Sequence, residues 1–344
     1  MAALRRLAGL LAVALLALPA ARSLALPGEP LLPAPAPPDY RGRKVVIDFT
    51  SRGPRVTSLS VLCQPGGRER REEHATRGVQ VHDGEYSWEY FPDRDLVLKR
   101  PASAEIGEML RPEQLQRAIR SYAIQIMASG PIAGRRSRAL EFAPRVAGSR
   151  PRRVVWVDAE TALVLRTEVY GTNNRLAWLS VFEELEYRPS FDAAAFMRPG
   201  PPDVTVVEAA AEPCLEPAAA ERLAGLPLAL PAYLPEGFER QCIRARRQRD
   251  YGEIQVVFGD GLSLLSLFAS TSFSEPATGR GSASPVTVGH ASGRWHDLGL
   301  VTGISWHAPW GHMALLGELS RAEMHRVAGS VRTPQELSAP PARQ

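Results

Sequence analysis

The residues best suited to chemistry in this 344-residue chain are four histidines and three tryptophans crowded toward its C-terminal end. His290, His296, His307 and His312 offer imidazole nitrogens, the commonest protein ligands for metals. Their spacing fits no zinc pattern, and the acidic residues near them are limited to Asp297 and Glu318. They are read as loop and strand-end histidines, and no metal is assigned. No nucleophile–base pair is evident. The patterns G-x-x-x-x-G-K-[S/T], G-x-S-x-G, H-E-x-x-H and paired C-x-x-C are all missing. No catalytic residue and no cofactor is expected, and the chain reads as a binding protein, not an enzyme. Trp295, Trp306 and Trp310 are candidates for a partner-binding surface, because tryptophan is enriched at interface hot spots. The competing reading puts them in a small core. Cys214 and Cys242 can pair in an oxidising compartment or stay as thiols. Cys63 lies in a strand pattern and reads as a small core residue.

A second kind of chemistry lies further toward the N-terminus. Val45, Ile47, Phe49, Leu59, Val61, Tyr86, Trp88, Tyr90, Val155 and Val157 sit at alternating positions of strand-like segments. Alternation puts one set of side chains on one sheet face. A curved sheet only partly covered by helices can keep an apolar groove, and such a groove suits an acyl chain. Each methylene removed from water contributes ~0.8 kcal/mol. The alternative is that these residues close an ordinary core.

The elements that must position these residues are mostly strands. Asp83-Gly84, between Val79–Asp83 and Glu85–Phe91, is a hairpin signal. Gly171-Thr-Asn-Asn174 reads as a turn between the strands at 163–170 and 177–187. Further strands are expected at 139–142, 153–158, 254–258, 262–268 and 312–316. One helix is expected from Pro112, with Leu115, Ile119, Tyr122 and Ile126 on one stripe and Gly130-Pro131 as its stop. A last helix is expected at 320–330, where Ser320 and Glu323 form a capping-box pattern. Residues 269–285 read as a loop by composition.

Residues 1–25 read as a cleaved secretory signal peptide: Arg5 and Arg6 precede an apolar run, Leu7–Leu18, and small residues follow Pro19. The run is too short to span a bilayer. An exported product is therefore expected. The formal charge of +4 includes Arg5, Arg6 and Arg22. Without them the chain is nearly neutral, so its basic pI does not argue for nucleic acid. The expected organisation is a signal peptide (1–25), a proline-rich lead-in (26–39), a first domain (40–195), an acidic Pro/Ala-rich linker (196–222), a second domain (223–334) and a tail (335–344).

Several segments resemble one family. Trp156-Val-Asp158, then Leu163, Arg166 and Gly171, is similar to the late strands of MucB/RseB proteins and their LolA-like relatives. Tyr233-Leu-Pro-Glu-Gly-Phe238 resembles that family's entry to its second domain. Phe258-Gly-Asp-Gly-Leu-Ser263 followed by Leu267-Phe268, and Leu316-Gly-Glu-Leu followed by Met324–Val331, resemble its later strands and closing helix. The order of these segments matches the family across both domains.

The resemblance implies an α+β, mostly antiparallel fold. The first domain would be a half-open LolA-like β-barrel with covering helices, and the second a smaller antiparallel sheet with a C-terminal helix. It implies a periplasmic localisation and a negative regulator that binds the periplasmic domain of a single-span anti-sigma factor. An acylated lipid or lipoprotein would displace it in an envelope stress response and release the sigma factor. The chain departs from the family at 294–312, where a Trp/His-rich stretch replaces a plainer one, and at Leu319, where proline is usual. The alternative function is a periplasmic carrier of lipoproteins or lipids. A third reading, an envelope hydrolase or metal enzyme, has the least support.

Overall fold

The computed structural model describes residues 25–26, 29–30, 38–50, 53–64, 67–102, 111–210, 212–272 and 282–333. The signal-peptide reading, apart from Ala25, nine of the fourteen lead-in residues and the tail lie outside these residues. A two-residue pair, β1 (Ala25–Leu26) and β2 (Glu29–Pro30), precedes the main body.

Two meanders meet to build a twelve-stranded sheet. The first runs through β3 (Tyr40–Thr50), β4 (Gly53–Gln64), β5 (Arg68–Glu73), β6 (Val79–His82), β7 (Tyr86–Phe91) and β8 (Leu96–Pro101). Helix α1 (Pro112–Ser121) follows. The second meander is β9 (Tyr122–Met127), β10 (Ser137–Pro144), β11 (Arg152–Asp158), β12 (Val164–Tyr170) and β13 (Leu176–Tyr187). β13 returns to pair with β3, so the meanders join at the centre. A short parallel strand, β14 (Thr205–Glu208), lies on β8. The sheet does not close: β14 and β9 are its two edges. The half-open, mostly antiparallel architecture stands, with α1 as the one α-helix among the described residues of this part of the chain.

Local chemistry explains the turns. Asp83 Oδ1 accepts from the backbone N–H of Glu85 (2.8 Å) and Tyr86 (2.7 Å), and Oδ2 accepts from Trp88 Nε1 (2.7 Å). Burial would push the Asp83 carboxyl up, but these donors hold it below its ordinary value. Gly84 supplies the positive φ of 103° that the turn needs.

Helix α1 is shorter than the sequence pattern implies. It ends at Ser121, and Tyr122–Met127 is a strand paired with β10. Tyr122, Ile124 and Ile126 satisfy a period of two as well as Leu115, Ile119, Tyr122 and Ile126 satisfy a helical stripe. Ladder bonds to β10 decide in favour of the strand.

The expected linker is also corrected. Residues 196–222 contain β14 and most of helix α2 (Pro217–Ala224), which packs on the smaller sheet. Pro217 starts that helix at its first turn, where proline costs nothing, and Gly225 ends it at φ 70°.

The smaller sheet comprises β16 (Glu239–Gln248), β17 (Tyr251–Gly259), β18 (Leu264–Ser270), β19 (Ser282–Val288), β20 (Ala291–Asp297), β21 (Thr302–Ala308) and β22 (Gly311–Gly317). Their order is 16-17-18-22-21-20-19, all antiparallel. The loop expected at 269–285 is therefore strand from Ser282 onward, and its residues 273–281 lie outside those described. Helix α3 (Arg321–Gly329) opens with Ser320 Oγ accepting from Glu323 N at 3.3 Å. A final pair, β15 (Leu230–Pro231) and β23 (Val331–Arg332), closes the chain over this core. Leu265, Leu267, Ile304, Leu315, Met324 and Val327 are among its fully buried residues. Cys214 and Cys242 form a disulfide that ties the segment before α2 to β16.

Candidate functional site

The register of the larger sheet decides what its surfaces can hold. Directly paired residues share a face. Val45 pairs with Ser58 and Ile47 with Val56, whereas Leu59 pairs with Lys44 and Val61 with Gly42. Following the pairs across the sheet puts Val45, Ile47, Phe49, Tyr86, Trp88 and Tyr90 on one face. Leu59, Val61, Val155 and Val157 fall on the other. The expectation of one continuous apolar face over these ten residues is thus corrected. Alternation along a strand fixes which neighbours share a side; only the register between strands fixes which sides coincide.

The two faces differ in accessibility. Val61, Val155 and Val157 are buried at 1%, 5% and 0% exposure by the chain's own side chains, and that face also carries α1. Val45, Ile47 and Phe49 are half-buried on the opposite face, where Val56 is 61% exposed and Leu179 and Val181 are half-buried. Tyr86, Trp88 and Tyr90 are half-buried there too. Lys99 Nζ lies 4.0 Å over the Tyr86 ring and 5.3 Å over Trp88. Gly200, from the segment after β13, comes so close to Tyr90 that a Cβ would stand 3.0 Å from its ring.

The tryptophans divide as well. Trp295 and Trp306 sit on the core face of β20 and β21 and are 9% and 8% exposed. Trp295 stacks on His325, with Arg321 over its ring. These two are core residues, which corrects their candidacy as a docking surface. Trp310 is half-buried at the β21–β22 turn.

The most constructed region of the molecule is the joint between the sheets. The turn from β17 to β18, Asp260-Gly261-Leu262-Ser263, enters under α1. Leu262 packs with Leu115, Ala118, Tyr122, Leu140 and Phe142. Gly261 has φ 100°, and a Cβ there would stand 2.4 Å from the Gln114 carbonyl oxygen. Only glycine lets the turn approach the helix this closely. Asp260 Oδ1 accepts from the backbone N–H of Leu262 (3.0 Å) and Ser263 (2.7 Å). Its Oδ2 accepts from Arg150 Nη1 at 2.6 Å, and both side chains are buried, at 4% and 0% exposure for Arg150 and Asp260.

Further contacts extend the joint. Arg150 also donates to the Glu236 carbonyl (3.1 Å), which accepts from Ser121 Oγ as well (2.8 Å). The guanidinium lies 5.1 Å from the Phe238 ring centre and 5.8 Å from that of Tyr122. Tyr122 Oη and Ser263 Oγ are 3.1 Å apart, and Ser320 N donates to Ser149 O at 2.8 Å. Burial raises the Tyr122 phenol well above its ordinary range, and Asp260 adds to this. Arg153 pairs with Glu318; burial opposes its charge, and the carboxylate more than restores it. Arg117 donates to Gln241 and Arg120 to Glu239 across the same seam.

These contacts assign a place to residues that sequence reading could quote but not locate. Glu236, Gly237 and Phe238 come from the Tyr233–Phe238 segment, Asp260–Ser263 from the second, and Glu318 from the third. Arg150, Arg153 and Ser121 were not singled out. Nothing marks two arginines as buried in a chain with 41 basic residues. Beside the joint, an open cleft of about 420 Å3 is lined by Glu113, Gln116, Arg117 and Arg120 of α1 and Glu239, Arg240 and Gln241 of β16. A second, of about 400 Å3, is lined by Arg68, Asp83, Glu85, Phe196, Met197 and Arg198. Both are rich in charge, and such surfaces fit polar peptide better than an acyl chain. Among the described residues no group of three or more His, Cys, Asp or Glu side chains gathers to hold a metal.

Residues 84–199 match the family described as the MucB/RseB N-terminal domain. Among solved structures, the chain is similar to MucB in complex with MucA(peri), at 19% identity and a TM-score of 0.57, covering 86% of this chain and 93% of that one. It is similar to MucB in the Pseudomonas aeruginosa MucA/MucB complex, at 18% identity and a TM-score of 0.58, with coverage of 86% and 93%. A structure of MucB alone matches at 18% identity and a TM-score of 0.50, with coverage of 86% and 92%. No curated protein matches the chain.

Proposed function

From a chain that belongs to the MucB/RseB family, we propose a non-catalytic periplasmic regulator that holds the periplasmic segment of a single-span anti-sigma factor and keeps it from proteolysis. The observation that carries this reading is the joint. The three segments that resemble the family in the C-terminal half converge on it, and it fixes both sheets in one arrangement beside a polar cleft between α1 and β16. The same two-sheet architecture is found in MucB in complex with MucA(peri). A welded joint of this kind suits a binding platform, in which two surfaces must keep a fixed separation.

The sensing part of the proposal rests on the other face of the larger sheet. Val45, Ile47 and Phe49, with exposed Val56, form an apolar surface for an acyl chain of a lipid or lipoprotein. Filling of the α1 face by Val61, Val155 and Val157 argues against an acyl chain on that side. Export by residues 1–25 puts the protein where such ligands occur. A carrier has no need for the smaller sheet or for an ion-paired joint to it, so regulation is favoured over transport.

Calorimetric titration of the purified chain with the organism's anti-sigma periplasmic segment tests the reading. A saturable one-to-one complex supports it. Absence of heat and of co-elution at high concentration overturns it. A Phe49→Asp variant that still binds the segment but no longer releases it to an acylated competitor supports the sensing surface; unchanged release removes it.

A further inference from the structure

Two histidines five residues apart in the sequence face each other across one hairpin. His307 lies near the end of β21 and His312 near the start of β22, and they are a direct cross-strand pair. Their Nδ1 atoms are 3.3 Å apart and their ring centres 4.5 Å apart. His307 is exposed and His312 half-buried, both on the face away from the smaller sheet's core. Zinc binds imidazole nitrogen at about 2.0–2.1 Å in a tetrahedron, which places two donors about 3.3–3.4 Å apart. The separation found here therefore equals the bite of a chelate.

We propose that His307 and His312 form a two-point site for a divalent transition-metal ion of the zinc or copper class. In the free protein one Nδ1–H bridges the two rings; as the ion enters, that proton moves to Nε2 of its ring, so that both Nδ1 lone pairs face the metal. A modest turn of each ring about its Cβ–Cγ bond, a broad and soft torsion, aims both lone pairs at one point. The backbone beneath needs no change, because β22 is held between β18 and β21. Two ligands set on a preformed ladder lose little freedom on binding. Water fills the remaining positions, so the ion is exchangeable and not structural. Imidazole donors select zinc, copper or nickel over calcium and magnesium, which take oxygen ligands.

Titration of the untagged protein with ZnCl2 by calorimetry is the test, with CaCl2 as control. One equivalent of Zn2+ should bind, and His307→Ala and His312→Ala should each weaken it by at least about 10–100-fold, the loss that removal of even an outer-shell partner causes. Unfolding curves of the metal-free variants report whether the fold survives. The ring resonances of both histidines in the wild-type protein should shift together on Zn2+ addition, a readout that needs no variant. Zinc binding that persists in the double variant, or no binding by the wild-type protein, overturns the site.

Discussion

Asp260→Asn is the sharpest perturbation of the joint. The substitution keeps Oδ1, which still accepts from the Leu262 and Ser263 N–H groups, and replaces Oδ2, the acceptor facing Arg150, with an uncharged amide NH2 that cannot accept from the guanidinium. Both partners are almost fully buried, so water cannot take the place of the lost carboxylate. Removing one member of a buried ion pair costs about 3–5 kcal/mol, mostly because the other charge is left without compensation. Arg150 keeps the Glu236 carbonyl and the Phe238 and Tyr122 rings, which favours the lower half of that range. For a protein of this size the loss corresponds to a fall in Tm of roughly 4–6 °C. Unfolding in urea, followed by tryptophan fluorescence and by far-ultraviolet circular dichroism, measures it. Because the pair joins two sheets with separate cores, the two probes should also stop coinciding. Adding Arg150→Met should recover part of the loss, with a coupling energy of about 1–3 kcal/mol. A cost below about 1 kcal/mol, or strictly additive effects of the two changes, would refute the view that this pair welds the sheets.

Gly261→Ala places a Cβ against the Gln114 carbonyl in a left-handed backbone and should cost about 1–3 kcal/mol; alanine scanning of the 260–263 turn with thermal unfolding checks it. Reduction of Cys214–Cys242, which closes a 28-residue separation, should lower stability by about 3–4 kcal/mol, read as a shifted denaturation midpoint in dithiothreitol that Cys214→Ser no longer shows. The fold should also lose stability on acidification. Burial lowers both His82, which faces Glu69, Arg71 and Asp83, and His296, which faces Arg294 and Ser305. Between these lowered values and 6.5 the unfolded chain binds more protons than the folded one. Stability is therefore full above about pH 6.5 and falls below it, by at most about 1.4 kcal/mol per pH unit for each histidine. Equal denaturation midpoints at pH 7.5 and pH 5.5 would contradict this.

Local signals in the sequence identified local structure. The Asp83-Gly84 turn and the Ser320/Glu323 cap are each specified within four residues, and both form where expected. Elements decided by distant partners were less legible. Tyr122–Met127 could be helix or strand until β10 was beside it. β5, Arg-Glu-Arg-Arg-Glu-Glu, carries no apolar alternation at all; it is a strand because β4 and β6 pair with it, and it buries Glu69 at 1% exposure, paired with Arg71. β16, also rich in arginine, was missed for the same reason. The apolar face was misjudged because the offset between β3 and β4 is a property of their pairing and not of either strand. The joint was half visible: its glycines and Asp260 stand in recognisable segments, whereas Arg150 has no local signature.

Protection of a bound segment is the central proposal, and one rate measures it most directly. The cleavage of the purified anti-sigma periplasmic segment by a periplasmic protease should slow in proportion to the fraction bound as this protein is added, and should recover when an acylated lipid is supplied. A cleavage rate unchanged at a saturating excess of the protein would contradict the account.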